Sequence, residues 1–209
     1  MAVKFFVATL IGVLLVETGF VRADPLSTKV FTEVAETQEF GVCGCEAIVY
    51  SGPDFYGRFE LHIFQQNAWF EKNFLPFTAE SIKMRGKCFF IFYEEANFLG
   101  TAHILKIAGD YPSLTNFGNV VSARALPPEG TNAIVFFEHS NYGGRMGVLY
   151  SSEDYLYYYS FISSVIVIGG SWTVYKGWFY SEYAVRLYDR YYPTLSAIGM
   201  SKIVSAKSW

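Results

Sequence analysis

Histidine and carboxylate side chains are the first candidates for chemistry in this sequence. His62 and His103 lie in apolar, strand-like surroundings, and neither has a recognisable nucleophile or carboxylate partner nearby. His139 falls in a turn and is expected to be solvated. Glu94 and Glu95 are adjacent at the end of a predicted strand, so their side chains should point apart. With no nucleophile elbow, phosphate-binding glycine loop or zinc-protease helix motif, the sequence predicts that the protein is not an enzyme.

The three cysteines favour disulfide chemistry over metal binding. In an oxidising compartment, Cys43 or Cys45 can bridge to Cys88, since each precedes a predicted strand and these strands should lie near each other. One thiol is then left over, and it can pair between chains to give a covalent dimer. A metal site is disfavoured because the spacing is not that of a zinc ribbon. We therefore predict no catalytic residues and no metal ligands.

Tyrosine is the unusual residue of the second half, and four tyrosines fall between positions 155 and 159. On a strand, alternate members of such a run face outward and leave amphipathic rings at the surface. Core packing is one interpretation. The other is an interaction surface for a domain, a protein or a sugar, with Tyr157 and Tyr159 as its candidate residues.

A frame of two aromatic residues and a glycine recurs along the chain at intervals of about 40 residues. The aromatic residues are five positions apart, and the glycine follows two positions later. In the fourth copy, Glu182 stands where glycine is expected. The four frames are Tyr50, Phe55 and Gly57; Tyr93, Phe98 and Gly100; Phe137, Tyr142 and Gly144; and Tyr175 and Tyr180.

Each frame predicts a folded hairpin. β-Branched and aromatic residues precede the first ring, turn-forming residues follow it, and the second ring can then pack over the first. The glycine supplies a positive φ or close backbone passage. A serine at the head of each closing strand can hydrogen-bond nearby backbone and fix the hairpin. The predicted closing serines are Ser81, Ser122, Ser164 and Ser201.

The N-terminus has the features of a secretory signal over residues 1–23. Lys4 is followed by the apolar run Phe5–Val16, and small residues precede the predicted cleavage after Ala23. An uncleaved membrane anchor fits less well, because a span needs roughly 20 apolar residues. Later segments also lack such a run, so no transmembrane segment is expected after signal removal. Residues 24–45 are interpreted as a polar N-terminal arm.

The repeats predict an all-β protein of two β-sandwich domains. Domain 1 covers residues 46–126, with motifs 46–85 and 86–126, and domain 2 covers 132–209, with motifs 132–169 and 170–209. A period near 40 also suggests a propeller or solenoid. The proline-rich linker 127–131 falls after two copies, however, and therefore favours pairs of repeats.

These residues give the chain a resemblance to the βγ-crystallin superfamily. Second-motif crystallin sequences resemble Tyr93–Gly100 followed by Gly109–Pro112, and the repeated frame covers nearly all of 47–208. The resemblance implies two domains, each of two Greek-key motifs forming a β-sandwich. Glu182 departs from the family pattern, so the fourth turn should be rebuilt or strained there.

Many members of this superfamily bind calcium through two Asn or Asp residues, two variable residues, and then Ser or Thr followed by Ser. Ser163–Ser164 keeps the end of that motif, but no copy offers a carboxylate at the paired positions, so no cofactor is expected. The paired positions are Pro76–Phe77, Phe117–Gly118, Tyr159–Ser160 and Ser196–Ala197.

Composition limits the partners. The 209 residues are 52% hydrophobic and 19% aromatic, and the net charge of −3 gives no reason to expect nucleic acid. The leading hypothesis is a secreted, non-catalytic structural protein of an extracellular or surface layer. It would pair with itself or with an extracellular protein or glycan. The alternative is a recognition or defence module that binds a glycan, lipid or partner protein, and a lens-type refractive protein is third.

Overall fold

The computed structural model describes residues 45–64, 71–87, 89–157 and 161–209, and these ranges form thirteen β-strands joined by short 3-10 turns. The all-β prediction is therefore confirmed. The predicted signal, the arm up to residue 44, Cys43, Cys88 and Tyr159 lie outside the described residues. The strands are β1 Cys45–Tyr50, β2 Phe59–Phe64, β3 Glu71–Lys72, β4 Ser81–Arg85, β5 Phe89–Glu95, β6 Leu99–Leu105, β7 Gly109–Tyr111, β8 Ser122–Leu126, β9 Ala133–Phe137, β10 Met146–Leu149, β11 Ser164–Tyr175, β12 Ala184–Tyr192 and β13 Ser205–Ser208.

The first two repeats exchange strands between two antiparallel four-stranded sheets. One sheet has the order β2-β1-β4-β7 and the other β3-β8-β5-β6. β7 comes from the second repeat but pairs with β4 of the first, whereas β3 comes from the first repeat and pairs with β8 of the second. Neither repeat therefore completes its sheet alone, as expected for paired Greek-key motifs.

The third and fourth repeats share one sheet in the described part of the chain, with the order β10-β9-β11-β12 and β13 paired to β11. β11 runs through the predicted motif boundary at 169/170, with a bulge between Val167 and Ser171. Gly169 has φ +65° there, and a Cβ would meet the Thr131 carbonyl oxygen at 2.8 Å. The boundary is therefore a bulge within one strand that packs on the linker, and not a break between strands.

Buried residues form three clusters, and successive residues of a strand enter different ones. On β5, Phe90 and Phe92 enter a cluster drawn from residues 47–125, while Phe89 and Ile91 enter another. A further cluster is drawn from residues 134–206 and includes the fully buried Trp172. Because both faces of β5, β8 and β9 are covered, these strands are hydrophobic or small at nearly every position.

The cluster around Ile91 draws residues from both sides of the linker 127–131, including Phe89, Val135, Phe137 and Ile166. The described residues all belong to one compact unit. The division into two domains therefore stays a prediction, supported by the two separate flanking clusters. In the described ranges, no helix has the length and apolar character needed to cross a membrane.

Candidate interaction site

The two aromatic rings of each frame pack against each other at the mouth of the folded hairpin. Three of the pairs are edge-on and the fourth is tilted. The second ring sits on a residue with positive φ in every copy, so the backbone bends sharply to bring the rings together. The centroid distances are 5.7 Å for Tyr50 and Phe55, 5.7 Å for Tyr93 and Phe98, 5.5 Å for Phe137 and Tyr142, and 5.6 Å for Tyr175 and Tyr180.

One serine hydroxyl holds each bend to its closing strand. In the first repeat, Ser81 Oγ accepts a hydrogen bond from the Phe55 amide at 3.0 Å and donates to the Gly52 carbonyl at 2.6 Å. Ser122 and Ser164 make the same two bonds in the second and third repeats. All three serines are fully buried, so each hydroxyl satisfies its own hydrogen-bonding groups while it holds a backbone donor and a backbone acceptor of the bend. We call this arrangement the serine latch.

The fourth latch uses Ser205, and the prediction of Ser201 is wrong. Ser205 Oγ accepts from the Tyr180 amide at 3.2 Å and donates to the Gly177 carbonyl at 2.7 Å, whereas Ser201 is exposed and precedes β13. The latch spans 25 to 29 residues in the other copies and 28 residues with Ser205, whereas Ser201 lies outside that range, so the spacing also fits Ser205. After the turn Leu195–Ile198, the closing strand β13 begins at Ser205 and not at Ser201.

Glu182 keeps the bend that glycine makes elsewhere, with φ +63°. In the third repeat, a Cβ on Gly144 would meet His139 Cδ2 at 2.7 Å. The position equivalent to His139 in the fourth repeat is Gly177, and a Cβ there would meet Glu182 Cγ at 2.8 Å. The glycine and the larger residue have therefore exchanged places: space for the side chain is restored, but the positive φ of Glu182 remains strained.

Arg124 lies fully buried between the second and third repeats. Its guanidinium stacks 3.6 Å from the centroid of Phe98 and donates from Nη2 to the Gly144 carbonyl at 2.9 Å. Nε lies 3.4 Å from Glu71 Oε1, in an ion pair whose geometry does not make a hydrogen bond, and Nη1 has no acceptor in the described part of the chain. Burial lowers the pKa of Arg124, but the cation still joins both halves.

A tyrosine hydroxyl adds a second link between the same repeats. Tyr93 donates to the Tyr142 carbonyl at 2.7 Å. Burial raises the pKa of Tyr93 well above its ordinary value, and burial together with the nearby Tyr191 raises the pKa of Tyr142 to about 12. Both phenols are therefore held in the neutral form.

His103 has a carboxylate partner, contrary to the prediction. Its Nε2 lies 3.1 Å from Glu94 Oε1, and its ring stacks on Phe117 with centroids 4.7 Å apart. Hydrogen bonds from His103 and Thr101 lower the pKa of Glu94. The pair joins neighbouring strands β5 and β6. The contact therefore depends on the register of these strands, which the sequence did not show.

The other candidate acids and bases do not extend this pair. Glu95 is exposed and packs beside Gly100, away from the partner of Glu94. His139 is exposed, as predicted from its turn, and the side chain of His62 lies outside the described part. The Thr101 hydroxyl also bonds to Glu94, and the arrangement of His103 and Glu94 fits a strap between strands.

Tyr157 belongs to an exposed aromatic group that we call the aromatic tip. Tyr155 packs on Tyr157 at 5.6 Å and edge-on to Trp178 at 5.3 Å. The Phe179 amide donates to the Asp154 carbonyl at 2.9 Å, which ties the two loops together. Tyr157 is 65% exposed and Phe179 is 71% exposed. The sequence indicated the tyrosine loop, but only the fold brings Trp178 and Phe179 beside it.

A second surface group was missed from the sequence. Arg186 lies over the rings of Tyr188 at 5.7 Å and Trp209 at 5.4 Å, and Lys207 lies over Trp209 at 4.9 Å and Tyr180 at 5.8 Å. We call these five residues the cation-aromatic row. The alternation of Arg186 with Tyr188, and of Lys207 with Trp209, was a possible signal, because residues two apart share a face of a strand.

Comparison with known proteins adds relatives for half of the chain. No family model matches. Over 113 residues the chain is 30% identical to γ-crystallin D and 29% identical to γ-crystallin F, both of Bos taurus. Each alignment covers 50% of this chain and 64% of the relative, so the chain spans less than two thirds of either protein.

A solved structure matches most of the fold. Geodin, a βγ-crystallin of Geodia cydonium, has a TM-score of 0.63 with this chain, over 80% of this chain and all of geodin, at 19% identity. Together with the relatives, this likeness supports the predicted βγ-crystallin superfamily. The predicted β-sandwich fold is confirmed.

The serine latches also correct where the family's calcium motif would fall. With Ser205 as the fourth closing serine, the paired positions are Met200–Ser201, and not Ser196–Ala197, which lie in the turn before Gly199. Pro76–Phe77 and Phe117–Gly118 keep their register, and Tyr159 and Ser160 lie outside the described residues. None of these positions carries a carboxylate. The expectation of no calcium through this site stays a prediction.

Proposed function

We propose that the chain is a secreted, non-catalytic structural βγ-crystallin that serves as a durable unit of an extracellular or surface layer. The serine latch is the observation that carries the proposal. It recurs in all four repeats, and in each copy a buried serine hydroxyl ties a sharply bent hairpin to a closing strand. An opening hairpin must break both bonds and expose its ring pair together, which favours slow unfolding.

Contacts across the linker support the same role. Arg124 and Tyr93 bond to backbone of the third repeat, and the buried cluster around Ile91 draws on both halves. We infer two domains that unfold cooperatively because of this shared interface. Secretion rests on the signal pattern of residues 1–23, and self-association rests on the cysteine left over by a bridge to Cys88.

Expression in a secreting cell tests the location, and unfolding kinetics test the durability. We expect mature protein beginning near Asp24 in the medium, and slow unfolding in denaturant together with resistance to protease. Retention of the full-length chain in the cell would contradict secretion. Rapid unfolding and ready digestion of the mature protein would contradict the structural role.

A second candidate function is recognition through the aromatic tip. Exposed rings of Tyr155, Tyr157 and Trp178 converge there, and Tyr and Trp are enriched at binding interfaces. Replacing Tyr157 and Trp178 with serine should then abolish binding detected on a glycan, lipid or protein array. Tyr56→Ser is the matched control, since Tyr56 is 77% exposed in the first repeat. Equal binding by the tip variant and the control would contradict this function.

A further inference from the structure

We propose that the cation-aromatic row binds a glycan that carries isolated anionic groups, such as sulfated or carboxylated sugar residues. The row lies on the sheet formed by β11, β12 and β13 and is distinct from Tyr155, Tyr157 and Trp178 of the aromatic tip. It combines two cations with exposed rings, so that one surface offers both charge and flat apolar area.

The row is held in place before any ligand arrives. Trp209 Nε1 donates to Thr173 Oγ1 at 2.8 Å, which fixes the indole across the sheet. Arg186 donates from Nη2 to Ser171 Oγ at 2.9 Å and from Nε at 3.3 Å, which fixes the guanidinium. Binding therefore costs less side-chain entropy than it would on free surface residues.

Both cations have room for an external anion. In the described part of the chain, neither Arg186 nor Lys207 forms an ion pair with a carboxylate; their neighbours are a hydroxyl and aromatic rings. Ser171 Oγ accepts from Nε and Nη2 of Arg186. The other N–H groups of the guanidinium point away from this acceptor. An incoming sulfate or carboxylate can therefore make charge-assisted hydrogen bonds to either residue.

Carboxylates border the row. Glu153 pairs with Ala206, the neighbour of Lys207. Burial raises the pKa of Tyr180, and the charges of Asp154 and Glu153 raise it further. A nucleic acid would place successive phosphates against them. A glycan instead offers the face of a sugar ring, which can cover the indole of Trp209, and that indole is 60% exposed.

Calorimetry on the full mature chain tests the proposal with a chondroitin sulfate hexasaccharide as the probe. We expect saturable binding that weakens as salt is added. Arg186→Gln and Lys207→Gln should each weaken binding by about 10-fold, as loss of one charge-assisted contact predicts. Arg58→Gln is the matched control, because it removes the same charge from an exposed position of the first repeat, and its binding should be unchanged.

Four further probes separate the possible ligands. Unsulfated chondroitin retains carboxylates and should bind, while a neutral hexasaccharide should not. The unchanged protein should also be tested with a single-stranded oligonucleotide and with vesicles containing phosphatidylserine. Its affinity for either should be no higher than the affinity of Arg186→Gln for chondroitin sulfate. Preferred binding to either one, or equal weakening by Arg58→Gln, would overturn the assignment, as would no binding to either acidic hexasaccharide. Unfolding rate and protease resistance report on the structural role independently.

Discussion

Replacing Ser205 with alanine should destabilise the fourth repeat far more than replacing Ser201. The change removes the only hydrogen bonds found for the Gly177 carbonyl and the Tyr180 amide in the described structure, and Ser205 is fully buried. A buried backbone group left without a partner costs about 1–3 kcal/mol. The Gly177 side of the latch is buried and the Tyr180 side only partly so, and we therefore expect a total loss of about 2–4 kcal/mol in the free energy of unfolding.

Urea unfolding followed by tryptophan fluorescence measures this loss, since Trp172 is buried in the core of the same half. With a slope near 2 kcal/mol per molar, the midpoint should fall by about 1–2 M. Ser201→Ala is the matched control and should stay within about 0.5 kcal/mol, because Ser201 is exposed. Equal losses for Ser201→Ala and Ser205→Ala would refute the assignment of the fourth latch.

Three other predictions concern strain, buried charge and alkaline pH. Glu182→Gly should stabilise the protein by about 0.5–1 kcal/mol, because relief of the strain at positive φ exceeds the entropy that glycine adds to the unfolded chain. Gly144→Ala should destabilise the protein. Urea titration of both variants checks that their changes in the free energy of unfolding have opposite signs. Arg124→Ala should lower the free energy of unfolding by about 3–5 kcal/mol, because it leaves a cavity and an unpaired carbonyl. Arg124→Met should lower it less or raise it. Similar thermal unfolding of the two variants would contradict this prediction. The folded-state pKa values of Tyr93 and Tyr142 are raised, so the stability that their neutral forms contribute is complete below the unfolded pKa near 10 and is lost as pH rises above it. Tyr93→Phe should reduce this loss when the free energy of unfolding is measured between pH 9 and 12. An unchanged slope of that free energy against pH would count against the prediction.

The repeated frame made most of the architecture predictable. Rings and turn residues act over a few positions, so their pattern indicates a hairpin without knowledge of distant contacts. For Ser81, Ser122 and Ser164, the closing serine was also found by position, since the intervening loops are similar in length. The prediction failed in the fourth repeat because Ser201 also precedes a short apolar run, and the hydrogen bonds of the bend identify Ser205 instead.

The surface was much less predictable. Tyr157 was found because tyrosines cluster in the sequence, but its neighbour Trp178 comes from another loop. Arg186 and Trp209 are far apart in the chain and meet only because β12 and β13 flank β11. Contacts of this kind depend on strand order, which local pattern does not specify.

The sequence by itself determined the number of repeats, the ring pairs and the class of fold, because these follow from side-chain type over short distances. Tertiary structure decided which serine closes the fourth hairpin, why Glu182 is accommodated opposite Gly177, and which partner His103 receives. It also decided that Arg124 is buried between repeats. Each of these depends on how strands from distant parts of the chain are aligned, and that alignment is fixed only when the cores pack.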